Sequence, residues 1–437
     1  MRLTPAAAVA ALATVALLPA QEQSSFRFTK VDLKLLEEYE ALDQKYENCA
    51  LVYHDADLEK HLADLAAPLL PRAPLERVKW QFRILRDPMV NAHASPNGSV
   101  YLNTGLLARA ENDDQVAGVL AHEVTHVVRR DTYIFNRSQR KKAVASEIIS
   151  VAAAWIPAGN WGVAVAVAAA ANVSPLVILD LEYGYSREIE EEADRIGLER
   201  LKGAGRDPAQ LVRMFEILDD KLEPEPVPRF FLDHPRTKDR IVYLKEAIGL
   251  DRDVPARDDP GYADRMRPAI LQNIQLDLDS RRFRSAVAAA ERLAAAHPED
   301  PVALYWLGES YRALGPREPR LTQEQASDGA LRKGYKQTEK RTEAEDDKAL
   351  AATPEGRKAL EANQRKAEEF LRQAASLDAS LSGPYFGLGA LYQQQGKKEQ
   401  AVEAYKKCIE LSKRPGEKGL AQRRLEGLTK GPQGGGK

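Results

Sequence analysis

The stretch that most constrains this chain is HEVTH at residues 122–126, set in the run QVAGVLAHEVTHVVRRD that reads as one helix. Four residues separate His122 from His126, so both imidazoles emerge on one side, close enough to share a single metal ion. Glu123 sits beside them, where a carboxylate can take a proton from an activated water. Val116, Leu120, Val124 and Val127 recur at helical spacing and are expected to face a core. The helix thus needs a packing face and a chemical face.

Structural zinc sites use four protein ligands, whereas catalytic ones keep three and an open position, so one further donor is required. The segment YSREIEEEADRIG supplies it. It reads as a second helix in which Glu190, Ala193 and Asp194 form an ExxAD pattern, 64 residues beyond His126. Glu190 is the expected third ligand, with Glu188, Glu191 and Glu192 as the neighbouring carboxylates to test should it fail.

An HExxH followed by SRxxExxAD resembles the HtpX and CAAX-prenyl-protease superfamily of gluzincin peptidases, in particular its BepA-like periplasmic branch, which joins this catalytic domain to tetratricopeptide repeats. The likeness spans roughly residues 50 to 245. It implies one Zn²⁺ held by His122, His126 and Glu190, with Glu123 as general base and Asp194 as a carboxylate behind a histidine ligand. The competing reading of Asp194 is an ion pair on the helix surface with Arg187 or Arg195. Ser99 to Asn103, after the turn pair Asn97 and Gly98, reads as a short strand, which the resemblance puts at the sheet edge beside the cleft. The segment FFLDHPRTKDRIVYL resembles a further family element. There His234 either stabilises an oxyanion or fills the open metal position, although a histidine before Pro235 is also an ordinary surface residue. Arg240 is expected to hold that loop or to touch substrate.

The remaining sequence sets the domain plan. Residues 1–20 read as a signal peptide, with an apolar run from Ala6 to Leu18 and cleavage near Ala20. The peptidase domain is expected over 21–250 and a Pro- and Asp-rich linker over 251–266. Repeats follow over 267–429, interrupted by a charged insertion at about 316–357, and a Gly-rich tail closes the chain at 430–437. SGPYFGLGALYQQQGKKEQAVEAYKKCIEL places Tyr385, Leu388, Gly389, Tyr392, Gly396, Ala401, Tyr405 and Cys408 at tetratricopeptide positions. LYWLGESYRALG matches a first repeat helix whose partner, KAEEFLRQAASLD, comes only after the insertion. A weaker hairpin is expected from Pro268 to His297, and a capping helix from Lys418 to Leu428. Ile148 to Leu179 is apolar but broken by prolines, glycines and asparagines, so it falls short of a bilayer span. It suits a hairpin or lid able to touch a membrane surface or an unfolded client, with Trp155 and Trp161 at its edges. Cys49 and Cys408 are expected to be free, buried thiols.

The expected fold class is mainly α: an α+β zincin-like metalloprotease domain with a small sheet, then an α-solenoid of repeats. A formal charge of −2 on 437 residues offers no footprint for nucleic acid. The resemblance implies a zinc endopeptidase of the bacterial periplasm, acting on unfolded or misassembled proteins in quality control or outer-membrane protein assembly, with repeats that recruit or gate clients and reach the assembly machinery. The alternative is a self-inhibited, zinc-containing chaperone or scaffold working through its repeats.

Overall fold

A computed structural model describes residues 26–142, 185–219, 237–257, 259–321 and 343–429. The signal segment, Ile148 to Leu179, His234 and the tail from residue 430 lie outside the described residues. The first half opens with α1 (Lys30–Asn48) and α2 (Ala56–Ala66), followed by strands β1 (Gln81–Leu85), β2 (Ala92–Ala94) and β3 (Ser99–Asn103). Helices α3 (Thr104–Arg109), α4 (Asp113–Arg129), α5 (Asp131–Lys142), α6 (Arg187–Gly203), α7 (Ala209–Asp219) and α8 (Thr237–Ile248) complete it. No described helix is long and apolar enough to cross a membrane.

The sheet order is β1-β3-β2, with β1 parallel and β2 antiparallel to β3. Ser99 to Asn103 is therefore the middle strand, which corrects the expectation of an edge. The reason lies in its side chains. Alternation sends Val100 and Leu102 into the main core with Leu120 and Val124 of α4, and Tyr101 to the opposite face with Tyr39, Leu42 and Tyr46 of α1. A strand buried on both faces belongs inside a sheet. The edge beside α4 falls to β2 instead. Gly98, at φ +98°, makes the turn into β3; a Cβ there would lie 2.7 Å from the Val78 side chain.

Helix α4 starts where Asn112 accepts a hydrogen bond from the Gln115 amide, with Asp113 and Asp114 in its first turn. Val116, Leu120, Val124 and Val127 are all buried, as their spacing predicts. Two more helices enclose it. Gly197 lets α6 approach so closely that a Cβ there would lie 3.4 Å from the His122 backbone nitrogen, and Gly118 does the same for α7 beneath Leu211.

The repeats comprise α9 (Pro260–Asp279), α10 (Phe283–Ala296), α11 (Pro301–Leu314), α12 (Glu343–Ala351), α13 (Pro354–Leu377), α14 (Ser382–Gln394), α15 (Lys398–Leu411) and α16 (Pro415–Thr429). They pack as pairs α9/α10, α11/α13 and α14/α15, capped by α16. Gly308 faces Leu371 across the second pair and Gly389 faces Tyr405 across the third, each at a distance a Cβ would close to 2.7 Å. Within the charged insertion, α12 and the start of α13 are helical.

Helix α9 begins inside the stretch read as a linker, with Pro268 in its interior rather than at its start. Pro260 suits a first turn, Asp259 accepts from the Gly261 amide at 2.9 Å, and Tyr262 and Met266 are buried, so the turn has a reason to persist. It seats the repeats on the peptidase half. Tyr262 donates its hydroxyl proton to the Leu107 carbonyl, Thr104 donates to Asn273, and Arg292 donates to the carbonyls of Ala108, Arg109 and Ala110 at the end of α3. A cation there also complements the helix dipole. Both cysteines are free, but Cys49 is exposed rather than buried, because it follows the last turn of α1.

Candidate metal centre

Helices α4 and α6 bring His122, His126 and Glu190 together, with their donor atoms all within 4.8 Å of one another and all three residues buried. The two Nε2 atoms are 3.1 Å apart, and the Glu190 oxygens lie 3.4 Å from His122 and 3.7 Å from His126. Zinc to nitrogen distances of 2.0–2.1 Å in tetrahedral geometry require a separation of about 3.3 Å, so the donors already suit such an ion. Two imidazoles and a carboxylate are also the donor chemistry that zinc accepts.

Each histidine turns its other nitrogen away from this point towards a carboxylate. His122 Nδ1 lies 2.8 Å from Asp194 Oδ1, and His126 Nδ1 lies 2.9 Å from Asp131 Oδ2. Such partners orient each ring so that its Nε2 faces the shared point. Asp194 is fully buried, so its reading as an outward ion pair gives way; Arg187 pairs with Glu191 and Arg195 with Glu192 instead. Arg240 of α8 grips Asp194 with Nε and Nη2 at 2.9 and 2.6 Å, and its Nη1 lies 3.3 Å from Glu190. Its guanidinium stacks 4.0 Å above the Phe215 ring. Arg240 therefore points into the metal-site carboxylates. Tyr243, one turn further along α8, donates its hydroxyl to Asp194.

These contacts decide the charges. Burial opposes charging His122, yet Asp194 and Glu190 outweigh it and push its pKa up to about 10. Burial likewise opposes the Asp194 carboxylate, but Arg240 and His122 hold it down to about 2. Glu190 is kept far below the usual carboxylate range against its own burial by Arg240 and His122. Glu123 behaves in the opposite way: burial lifts it above that range, only partly countered by the two histidines. The centre holds two buried carboxylates that favour a cation between the imidazoles, and beside them one carboxyl with raised basicity.

Three residues of the centre, Asp131, Tyr243 and Tyr185, lie outside the positions expected from the sequence. Asp131 opens α5, a helix start hidden because HVVRRD continues the preceding pattern with no glycine to mark a stop. Tyr185 lays its ring 4.3 Å from that of His126 and shares a 2.7 Å hydroxyl hydrogen bond with Thr132. Only its place just before the SREIEEEAD run could have pointed to it.

A helix carrying two histidines one turn apart, joined by a glutamate from a second helix, defines a metallopeptidase centre of the gluzincin type. Residues 54–248 match peptidase family M48, and residues 384–414 match a tetratricopeptide repeat. The first match falls on the peptidase half that carries the metal centre, and the second on the α14/α15 pair of the repeats. Similar proteins include the beta-barrel assembly-enhancing protease of Escherichia coli, 24% identical over 227 residues that make up 51% of this chain and 42% of that protein. The mitochondrial metalloendopeptidase OMA1 of Arabidopsis thaliana is 30% identical over 193 residues, 42% of this chain and 36% of its own length. Its namesake in Schizosaccharomyces pombe is 28% identical over 195 residues, 44% and 53% respectively. The aligned regions thus span about half or less of these relatives.

Proposed function

We propose that this chain is a zinc-dependent endopeptidase exported to the bacterial periplasm, where it cleaves unfolded or misassembled proteins presented through its repeats. The observation that carries the reading is the buried constellation of His122, His126 and Glu190 with Glu123 on the same turn as His122. When bound, zinc supplies Lewis acidity, polarising a scissile carbonyl and making water a stronger acid. The chain does the rest. Glu123 takes the proton of the attacking water and returns it to the leaving amine, and its raised basicity suits both transfers. Asp194 holds the His122 imidazole in place, while Arg240 keeps the buried carboxylates ionised. Edge strand β2 packs beside α4, and an extended polypeptide adding to such an edge is read through its backbone, which supports broad sequence tolerance.

Clients of the outer membrane are suggested by the name of the Escherichia coli relative, and export by the apolar segment at residues 6–18. A concave groove of about 1450 Å³ in the repeats, lined by Gln272, Tyr305, Trp306, Arg312, Gln364 and Phe386 among others, supports client recruitment. The test is Glu123→Gln. It should retain zinc yet lose cleavage of an unfolded protein by about 10²- to 10⁴-fold, since it removes the base and no ligand. Wild-type cleavage by this variant would overturn the mechanism, and a wild-type protein that binds zinc and clients but cleaves nothing would favour the scaffold reading.

A further inference from the structure

We propose that Asp131 is a positioning residue for the metal ligand His126, so that both histidines of the centre are backed by carboxylates that reach them from different elements. The inference rests on the metal-site reading above and extends it to a residue outside both sequence motifs.

The geometry begins with a break in the helix. After Arg129 the chain turns through Arg130 in the left-handed region, at φ 61° and ψ 32°, and restarts as α5 at Asp131. For a side chain larger than glycine this conformation is uncommon and needs support. Arg130 has it: its Nη2 donates to the Glu76 carbonyl at 2.7 Å, and its guanidinium lies 5.3 Å from the Phe28 ring and 5.9 Å from that of Phe26. Next along α5, Tyr133 packs against the same two rings, at 5.4 and 5.6 Å. The sharp turn brings Asp131 back towards α4, where a continuing helix would carry it away. There its Oδ2 meets His126 Nδ1 at 2.9 Å, with both side chains buried. Arg129 Nε, at 3.2 and 3.3 Å from the two oxygens, partners the carboxylate from the other side.

His126 is then restrained twice, by Asp131 at Nδ1 and by the ring of Tyr185 over its face. The proton on Nδ1 leaves the Nε2 lone pair directed at His122 and Glu190. The bland alternative is that Asp131 only serves α5, as an acid in its first turn. That role would contribute stability and would not touch the metal.

The two roles separate in metal affinity. Zinc dissociation constants should be measured by chelator competition for the full chain, wild type and Asp131→Asn, alongside visible spectra of the cobalt-substituted proteins. Losing such a partner typically weakens metal binding by about 10- to 100-fold, and a displaced imidazole should alter the cobalt bands. Arg137→Ala loosens α5 elsewhere, by removing its ties to Asp32 and the Arg27 carbonyl, and should leave zinc affinity within about twofold of wild type. Asp131→Asn keeps the side-chain volume, so it remains decisive even if Asp131→Ala fails to fold. Unchanged zinc affinity and cobalt spectrum in Asp131→Asn, whatever its melting temperature, would overturn the assignment. A wild-type protein that binds no zinc would instead bring down the metal-site reading, and this assignment with it.

Discussion

Helix pairs α4/α6 and α11/α13 meet at close quarters in both halves of the molecule, but they are joined by opposite chemistry. The second pair closes on small and aromatic side chains: Gly308 against Leu371, with Tyr311 stacked on Phe370 at 6.1 Å. Where this pair buries charge, Glu309 and Arg312 satisfy each other within one helix. The first pair instead encloses two imidazoles and two ionised carboxylates, balanced by a guanidinium from a third helix, α8. Buried charges cost desolvation that hydrophobic packing would avoid. Their concentration around α4 and their scarcity in the repeat interface mark where stability is traded for chemistry.

The sharpest way to break this contrast is Arg240→Met. Removing the guanidinium leaves Glu190 and Asp194 without their shared cation, and breaking a buried pair of this kind typically destabilises by about 3–5 kcal/mol. Urea unfolding of the metal-free protein should show that loss, and saturating zinc should restore part of it. A change under about 1 kcal/mol would mean the carboxylates do not depend on Arg240. A smaller effect is expected from Gly308→Ala, whose Cβ would fall 2.7 Å from Leu371 Cγ. Overpacking costs roughly 1–3 kcal/mol, here confined to the repeats, so zinc content should not change. Loss of zinc in that variant would show that the two halves are not energetically separate. Smallest of all should be Arg195→Ala, on the outer face of α6, whose pairing with Glu192 is exposed and worth less than about 1 kcal/mol. A larger loss would put the outer face of α6 into the site as well.

What could be read from the sequence divides along the same line. His122, His126 and Glu123 were legible because they lie within one helical turn, and the helix period alone fixes how they face. Gly389 and Tyr405 were legible because repeats reuse the same small and aromatic positions. Asp131 was not, since its role depends on a left-handed turn at Arg130 that no glycine announces. The inward turn of Arg240 was hidden for a related reason: the contact joins α8 to α6 across 46 residues of sequence, and only packing decides which arginine meets which carboxylate. Likewise, alternation within Ser99 to Asn103 indicates a strand but not its place in the sheet, which neighbours on both faces determine.

On the proposed function, His122, His126 and Glu190 together hold one zinc ion. Zinc content per chain, measured by atomic spectrometry after equilibrium dialysis against buffered zinc, tests it most directly when wild type is compared with Glu190→Gln and folding is followed by circular dichroism. One equivalent is expected in the wild type and a strong loss in a variant whose helical content is unchanged. Equal zinc content in the two proteins would contradict it and move the third ligand to another carboxylate.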